Sequence, residues 1–207
     1  MNKLFRFLPL IVIFLLSSCR INTSIEDNLT LKIDDFTMNQ FSEDGEKIYT
    51  IISPKSNLNK ITFVYELDTV EVIFYEEDKE TYLLTADYAT LDNNLLTLHG
   101  NVKIKDIEDL DSIIKSNYLY WDMKKSLITL EGNVFLEDPF INLYSSKAIL
   151  NQDSDIIKFF NPVQYKYKDS TNKIDFEVSS DNAFYDLNEK KMTFSSDGDR
   201  VRSTLFF

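Results

Sequence analysis

The 207-residue chain has one cysteine, one histidine, four glycines and four prolines. A lone cysteine excludes an intramolecular disulfide, so the fold has to rest on its hydrophobic core. With no second histidine, a zinc or catalytic histidine site has no partner ligands. Cationic residues are also short: 22 Lys and Arg stand against 34 Asp and Glu, a net charge of −12. That balance argues against nucleic acid and anionic surfaces as partners, because both need basic patches. Past the N-terminus, no apolar run is long enough to span a bilayer. What the chain does have is aromatic and β-branched residues, with 11 Tyr and 16 Phe. That is the composition of strands.

The N-terminal segment has the grammar of an export signal. Lys3 and Arg6 precede the apolar stretch from Leu8 to Leu16, and Leu16-Ser17-Ser18-Cys19 closes it. The run is short and ends in small residues, as a cleaved signal does. Leu, two small residues and Cys form a lipobox, in which the thiol accepts diacylglycerol after cleavage. Residues 1–18 are therefore expected to be a lipoprotein signal peptide, Cys19 the lipidation site and 19–28 a short polar tether. An uncleaved N-terminal anchor is the alternative. Either way, residues 29–207 are expected to form one domain outside a bacterial cytoplasmic membrane.

From about residue 81 the chain repeats weakly every thirty residues or so. The first unit joins Thr85-Ala-Asp-Tyr-Ala-Thr-Leu-Asp92 to Leu95-Leu-Thr-Leu-His-Gly100-Asn-Val-Lys-Ile-Lys through Asn93-Asn94. The second joins Ser116-Asn-Tyr-Leu-Tyr-Trp-Asp122 to Leu127-Ile-Thr-Leu-Glu-Gly132-Asn-Val-Phe-Leu-Glu. A third runs from Ser146-Lys-Ala-Ile-Leu-Asn151 to Ile156-Ile-Lys-Phe-Phe-Asn161-Pro-Val-Gln-Tyr, and a worn fourth from Ser179 to Ser195. Each unit reads as strand, polar turn, long strand.

The long strands alternate with period two, which describes a sheet with one covered face. Leu96, Leu98, Val102 and Ile104 share a face of the first. Ile128, Leu130, Val134 and Leu136 share a face of the second, and Ile157, Phe159, Val163 and Tyr165 a face of the third. Gly100, Gly132 and Asn161-Pro162 interrupt these strands at equivalent places, on the apolar face by simple alternation. A mid-strand glycine marks a bulge or bend. Bent hairpins stacked in this way make an all-β, open jelly roll or flattened barrel of about twelve mostly antiparallel strands. Nearer the N-terminus, Ser42-Glu-Asp-Gly45 and Glu76-Glu-Asp-Lys79 read as turns, and Pro54 as the break after a strand over 47–52.

His99 falls on the polar face of its strand. The acids Asp106, Glu108, Asp109 and Asp111 suit a solvated turn better than a calcium loop, which wants alternating ligands and a glycine. Trp121, between Tyr118, Tyr120 and the turn, reads as part of a surface aromatic cluster, with a platform for sugar rings as the alternative. Thr204-Leu-Phe-Phe207 either adds to an edge strand or frays. No constellation of paired carboxylates suggests glycoside chemistry. No enzymatic activity, cofactor or metal is expected.

In this order the motifs resemble the LptC family, the membrane-anchored periplasmic component of lipopolysaccharide transport. The carriers are Phe41-Ser-Glu-Asp-Gly45-Glu-Lys-Ile-Tyr49, Val70-Glu-Val-Ile-Phe-Tyr75, Leu84-Thr-Ala-Asp-Tyr-Ala and Leu98-His-Gly-Asn-Val. Tyr118-Leu-Tyr-Trp-Asp, Leu130-Glu-Gly-Asn-Val and Ser146-Lys-Ala continue them. The resemblance covers residues 30–165; residues 170–207 match the pattern poorly. Many members use an uncleaved helix where this chain has the lipobox. The resemblance implies a β-jelly roll whose apolar groove carries lipid A acyl chains. It also implies an inner-membrane ABC transporter at one end and a soluble periplasmic LptA-like bridge protein at the other. The twelve apolar residues named above are then the candidate lining; the plainer reading is that they fill a dry core. An outer-membrane lipoprotein with a structural or adhesive β-repeat is the alternative function.

Overall fold

The computed structural model describes residues 29–206 apart from 108–111, 170, 172, 188 and 199. The leader, Cys19, the tether and most of the acidic run lie outside the described residues. The rest is strand and turn. In order these are β1 (Thr30–Phe41), β2 (Lys47–Asn59), β3 (Tyr65–Glu76), β4 (Lys79–Asp92), β5 (Leu95–Asp106) and β6 (Ile113–Asp122). They continue as β7 (Leu127–Glu137), β8 (Ile141–Asn151), β9 (Ile156–Lys168), β10 (Ile174–Asp186), β11 (Lys191–Ser195) and β12 (Arg202–Leu205).

Every strand from β1 to β10 pairs antiparallel with the next, and β12 pairs with β10. The sheet does not close: β1 pairs only with β2, and β11 only with β10, among the described residues. Among the described residues, the polar turns expected at 42–45, 76–79, 93–94, 123–126 and 152–155 are present. At Glu77-Asp78 both residues have positive φ (49° and 62°), as a two-residue I′ hairpin requires.

A crease crosses the sheet through the middle of its strands. The ladder shifts register between Thr85 and Tyr88, His99 and Val102, Lys115 and Tyr118, Glu131 and Val134, and Tyr144 and Lys147. On β5 and β7 the crease is a left-handed bulge. Gly100 and Asn101 have φ of 77° and 48°, and Gly132 and Asn133 have 76° and 53°. Glycine enters this region freely, and asparagine more readily than other residues with a Cβ. Asp35 and Thr69 take the same region on β1 and β3.

On even strands a small buried residue lies at the crease, Ala86 on β4 and a serine on β2, β6, β8 and β10, and each serine hydroxyl offers its proton to carbonyls freed from the ladder. Ser53 Oγ lies 2.6 Å from Lys55 O and 2.7 Å from Asp68 O. Ser145 Oγ lies 2.7 Å from Lys147 O and 2.6 Å from Phe160 O. Ser116 donates to Tyr118 O at 2.9 Å and Ser180 to Asn182 O at 2.9 Å. A buried carbonyl without such a partner costs about 1–3 kcal/mol.

Two expectations change, and one left open is decided. β2 runs through Pro54, which falls at the crease between the Phe36–Ser53 and Asp34–Lys55 pairs, where the ladder is already interrupted. The glycines do not look inward: a Cβ on Gly100 would meet Asp87 Oδ2 at 2.6 Å, and one on Gly132 would meet Asn117 Nδ2 at 3.0 Å. Both neighbours are exposed. Two consecutive left-handed residues use up the inward position, and Val102 and Val134 resume it. The C-terminal segment, though unlike the family pattern, continues the same sheet as β10–β12, and Arg202–Leu205 adds to the edge of β10.

The crease folds the sheet into two facing layers. Layer 1 holds the strand halves next to the turns at 93–94, 123–126, 152–155 and 187–190; layer 2 holds the other halves. Tyr49 and Phe74 of layer 2 reach Trp121 of layer 1, with ring centroids 4.8 and 5.0 Å apart. Tyr165 of layer 2 meets Phe194 of layer 1 at 5.1 Å. The core lies between the layers.

Candidate functional site: an apolar trough between two layers

The twelve candidate residues fall on four ladders, each crossing the sheet at right angles to the strands. Leu96, Ile128 and Ile157 belong to the first. Its register runs Leu31, Leu58, Tyr65, Leu91, Leu96, Trp121, Ile128, Leu150, Ile157, Tyr185, Met192. Leu98, Leu130 and Phe159 belong to the second, with Leu67, Ala89, Leu119, Ala148, Ala183 and Phe194 between and beyond them. Both lie in layer 1. Along the crease, Val102, Val134 and Val163 pair with Ser116, Ser145 and Ser180. Ile104, Leu136 and Tyr165 belong to the layer 2 ladder from Met38 through Ile51, Val72, Leu84, Ile114 and Leu143 to Val178.

Eleven strands at about 4.8 Å spacing give ladders about 50 Å long. Period-two alternation creates them, because every strand turns the same face inward. Eleven of the twelve candidates are buried; Ile104 is half-buried and packs against the same core. The ladders emerge at their ends. Leu96 at mid-ladder is 0% exposed, whereas Leu31 on β1 is 45% exposed. The structure thus brings all twelve onto one interior and buries its middle.

The members contributed by even strands were missed by sequence reasoning. Their signal was present in the alternation of Ala89 with Leu91, Leu119 with Trp121, and Ala148 with Leu150. Trp121 corrects the surface-cluster expectation. Tyr118 and Tyr120 face outward, while Trp121 is 3% exposed and turned inward. Its Nε1–H donates to Gln152 Oε1 at 3.0 Å. Beside it, between the free margins of the two layers, opens a cleft of about 590 Å³ lined by Ile48, Tyr49, Phe74, Trp121, Met123 and Gln152 among others. Tyr49 Oη donates to Met123 Sδ at 3.2 Å across this opening.

Charge stays on the outer faces. Lys115–Glu137, Lys147–Glu131 and Lys166–Glu177 bridge neighbouring strands at 2.8, 2.8 and 3.1 Å. Such half-exposed pairs add little stability. Inside, the titratable groups are phenols held neutral. Burial pushes the Tyr165 hydroxyl up to about 12, and it raises Tyr49 as well. His99 is exposed and stacks on Tyr88 at 5.3 Å. Among the described residues no three His, Cys, Asp or Glu side chains converge as a metal site would need. The interior can hold apolar matter.

Comparison with known proteins follows this geometry. No curated protein matches the chain. Among solved structures, it is similar to LptH, the LptA-homologous periplasmic component of the conserved lipopolysaccharide transport device from Pseudomonas aeruginosa. The two are 12% identical, the match covers 60% of this chain and 94% of that one, and the TM-score is 0.47. The family model described as "Lipopolysaccharide-assembly, LptC-related" matches residues 10–167, about three quarters of the sequence. The chain therefore belongs to the LptC-related lipopolysaccharide-assembly family, whose members are non-enzymatic, inner-membrane-associated periplasmic components of lipopolysaccharide transport.

Proposed function

We propose that this chain is a lipid-anchored periplasmic segment of the lipopolysaccharide conduit. It takes the lipid from an inner-membrane ABC transporter and passes it along the trough to a soluble LptA-like bridge. The observation that carries this reading is the apolar ladder that runs unbroken from Leu31 on β1 to Met192 on β11 of an unclosed sheet, with the layer 2 ladder from Met38 to Val178 beside it. Cys19 is the anchor, with residues 1–18 removed as a signal peptide. The end around residues 29–53 meets the transporter and the end around 172–203 meets the bridge.

The energetics suit transfer better than storage. Moving a methylene from water into the trough gains about 0.8 kcal/mol. Inside, an acyl chain replaces contacts the two layers already make with each other, so apolar contact is exchanged for apolar contact. That exchange lets lipid enter and leave. Parting the layers breaks no ladder, because among the described residues they are joined through the crease.

The test is photo-crosslinking in cells. A crosslinking residue at Leu98, Leu130 or Phe159 should capture lipopolysaccharide, and one at Thr97 or Glu131, on the opposite face, should not. Equal capture from both faces would refute the trough.

A further inference from the structure

β11 and β12 are the two halves of one interrupted strand. Both pair antiparallel with β10: β11 covers Asn182–Asp186 in layer 1, and β12 covers Phe176–Ser179 in layer 2. The chain leaves the sheet between them, over residues 196–198 and 200–201. The halves are held differently. Met192 and Phe194 of β11 pack against the core, and Phe194 meets Tyr165. All four residues of β12 are exposed, Leu205 at 64%, and Phe206 beyond it at 49%. Where the layer 2 ladder reaches β12, an apolar position becomes Ser203, opposite Val178. β12 is thus held by its backbone pairing with little burial, the condition for cheap local opening.

The opposite edge of the roll is long and open. β1 has twelve residues, and its outer edge has no ladder partner among the described residues. Its direction is that of every odd strand. Laid against β10 of another roll, the β1 half from Phe36 to Phe41 would run as β12 does, from crease to margin. Met38 would then stand where Ser203 stands, and the layer 2 ladder would continue from one roll into the next.

We propose that β12 is a removable cover over the layer 2 half of the β10 edge. The first strand of another roll built on this repeat displaces it and docks by antiparallel strand addition. β12 then serves as an internal mimic of the docking strand and limits joining until a partner competes it away. This rests on the reading of the chain as one segment of a conduit.

The test uses a second copy of the full chain as the docking roll, in a Cys19→Ser background. Association is followed by analytical ultracentrifugation, and the joint is located by a crosslinking residue at Met38. If the uncovered edge is the minor state, removing the cover raises affinity by the inverse of its population, about tenfold or more. Deleting residues 200–207 should therefore tighten association by at least that factor. Ser179 and Arg202 are opposite each other. With Ser179→Cys and Arg202→Cys, oxidation should abolish association by locking β12 down, and dithiothreitol should restore it. If the deleted chain fails to fold, this reversible lock decides alone. Weaker or unchanged association after deletion, equal association of locked and unlocked chains, or none in any form would overturn the cover. Lipid capture at Leu130, measured in the same forms, tests the conduit separately; its loss with the cover behaviour intact counts against the conduit reading alone.

Discussion

Replacing Gly100 with alanine tests the crease most directly. Two costs add at this position. Its φ of 77° is left-handed, which costs an L-residue about 1–2 kcal/mol. In addition, the new Cβ would stand 2.9 Å from Asp87 Cβ and 2.6 Å from Asp87 Oδ2. The nearer atom can swing away, but the Cβ moves only with its strand, and overpacking of this kind costs about 1–3 kcal/mol more. Gly45 isolates the first cost, since its φ is 88° and a Cβ there meets nothing within 4 Å. Gly100→Ala should thus destabilise the protein by about 2–5 kcal/mol, and Gly45→Ala by about 1–2 kcal/mol. Trp121 is the single tryptophan and is buried, so its fluorescence reports urea unfolding without a label. At a slope of about 2 kcal/mol per molar, the two midpoints should differ by about 1 M. Asp87→Gly removes the colliding Cβ, so the Gly100→Ala/Asp87→Gly cycle should show a favourable coupling of about 1 kcal/mol or more. An additive cycle, or a Gly100 variant no weaker than the Gly45 variant, would refute the close-approach account.

Ser145→Ala should lower stability by about 1–3 kcal/mol in the same melt, because it strands carbonyls at the crease; Ser146→Ala, on the exposed side, should cost less. The Tyr165 hydroxyl titrates near 12 when folded and near 10 when unfolded, so the native state holds the proton longer. Its contribution is complete below pH 10 and is lost as pH rises towards 12; Tyr165→Phe should flatten the fall in urea midpoint from pH 10 upwards, leaving the part due to Tyr49 and Tyr82. Cys19→Ala should block signal cleavage and acylation, which mass spectrometry of the cellular protein reads directly; normal processing of that variant would remove the lipid anchor.

Local pattern determined much of this protein. Alternation along residues 95–105, 127–137 and 156–167 specified strands and their inward faces, and the Gly-Asn dipeptides at 100–101 and 132–133 specified where they bend. Both follow from interactions within a few residues: side chains alternate on a strand, and glycine and asparagine tolerate left-handed backbone. The same rule already separated Tyr118 and Tyr120 from Trp121, but clustering in sequence was read as clustering in space. Pro54 misled because a proline ends a strand only where its missing N–H was needed, and at the crease the ladder is already open. Only the tertiary structure decided that the strands pair in sequence order, so that separate apolar faces join into ladders crossing eleven strands. It alone decided that Trp121 meets Tyr49 and Phe74, and that the last strand splits across the crease to leave a weakly held half on the β10 edge. Those outcomes depend on which distant segments become neighbours when the sheet folds over itself, and an alternating strand fits many neighbours equally well.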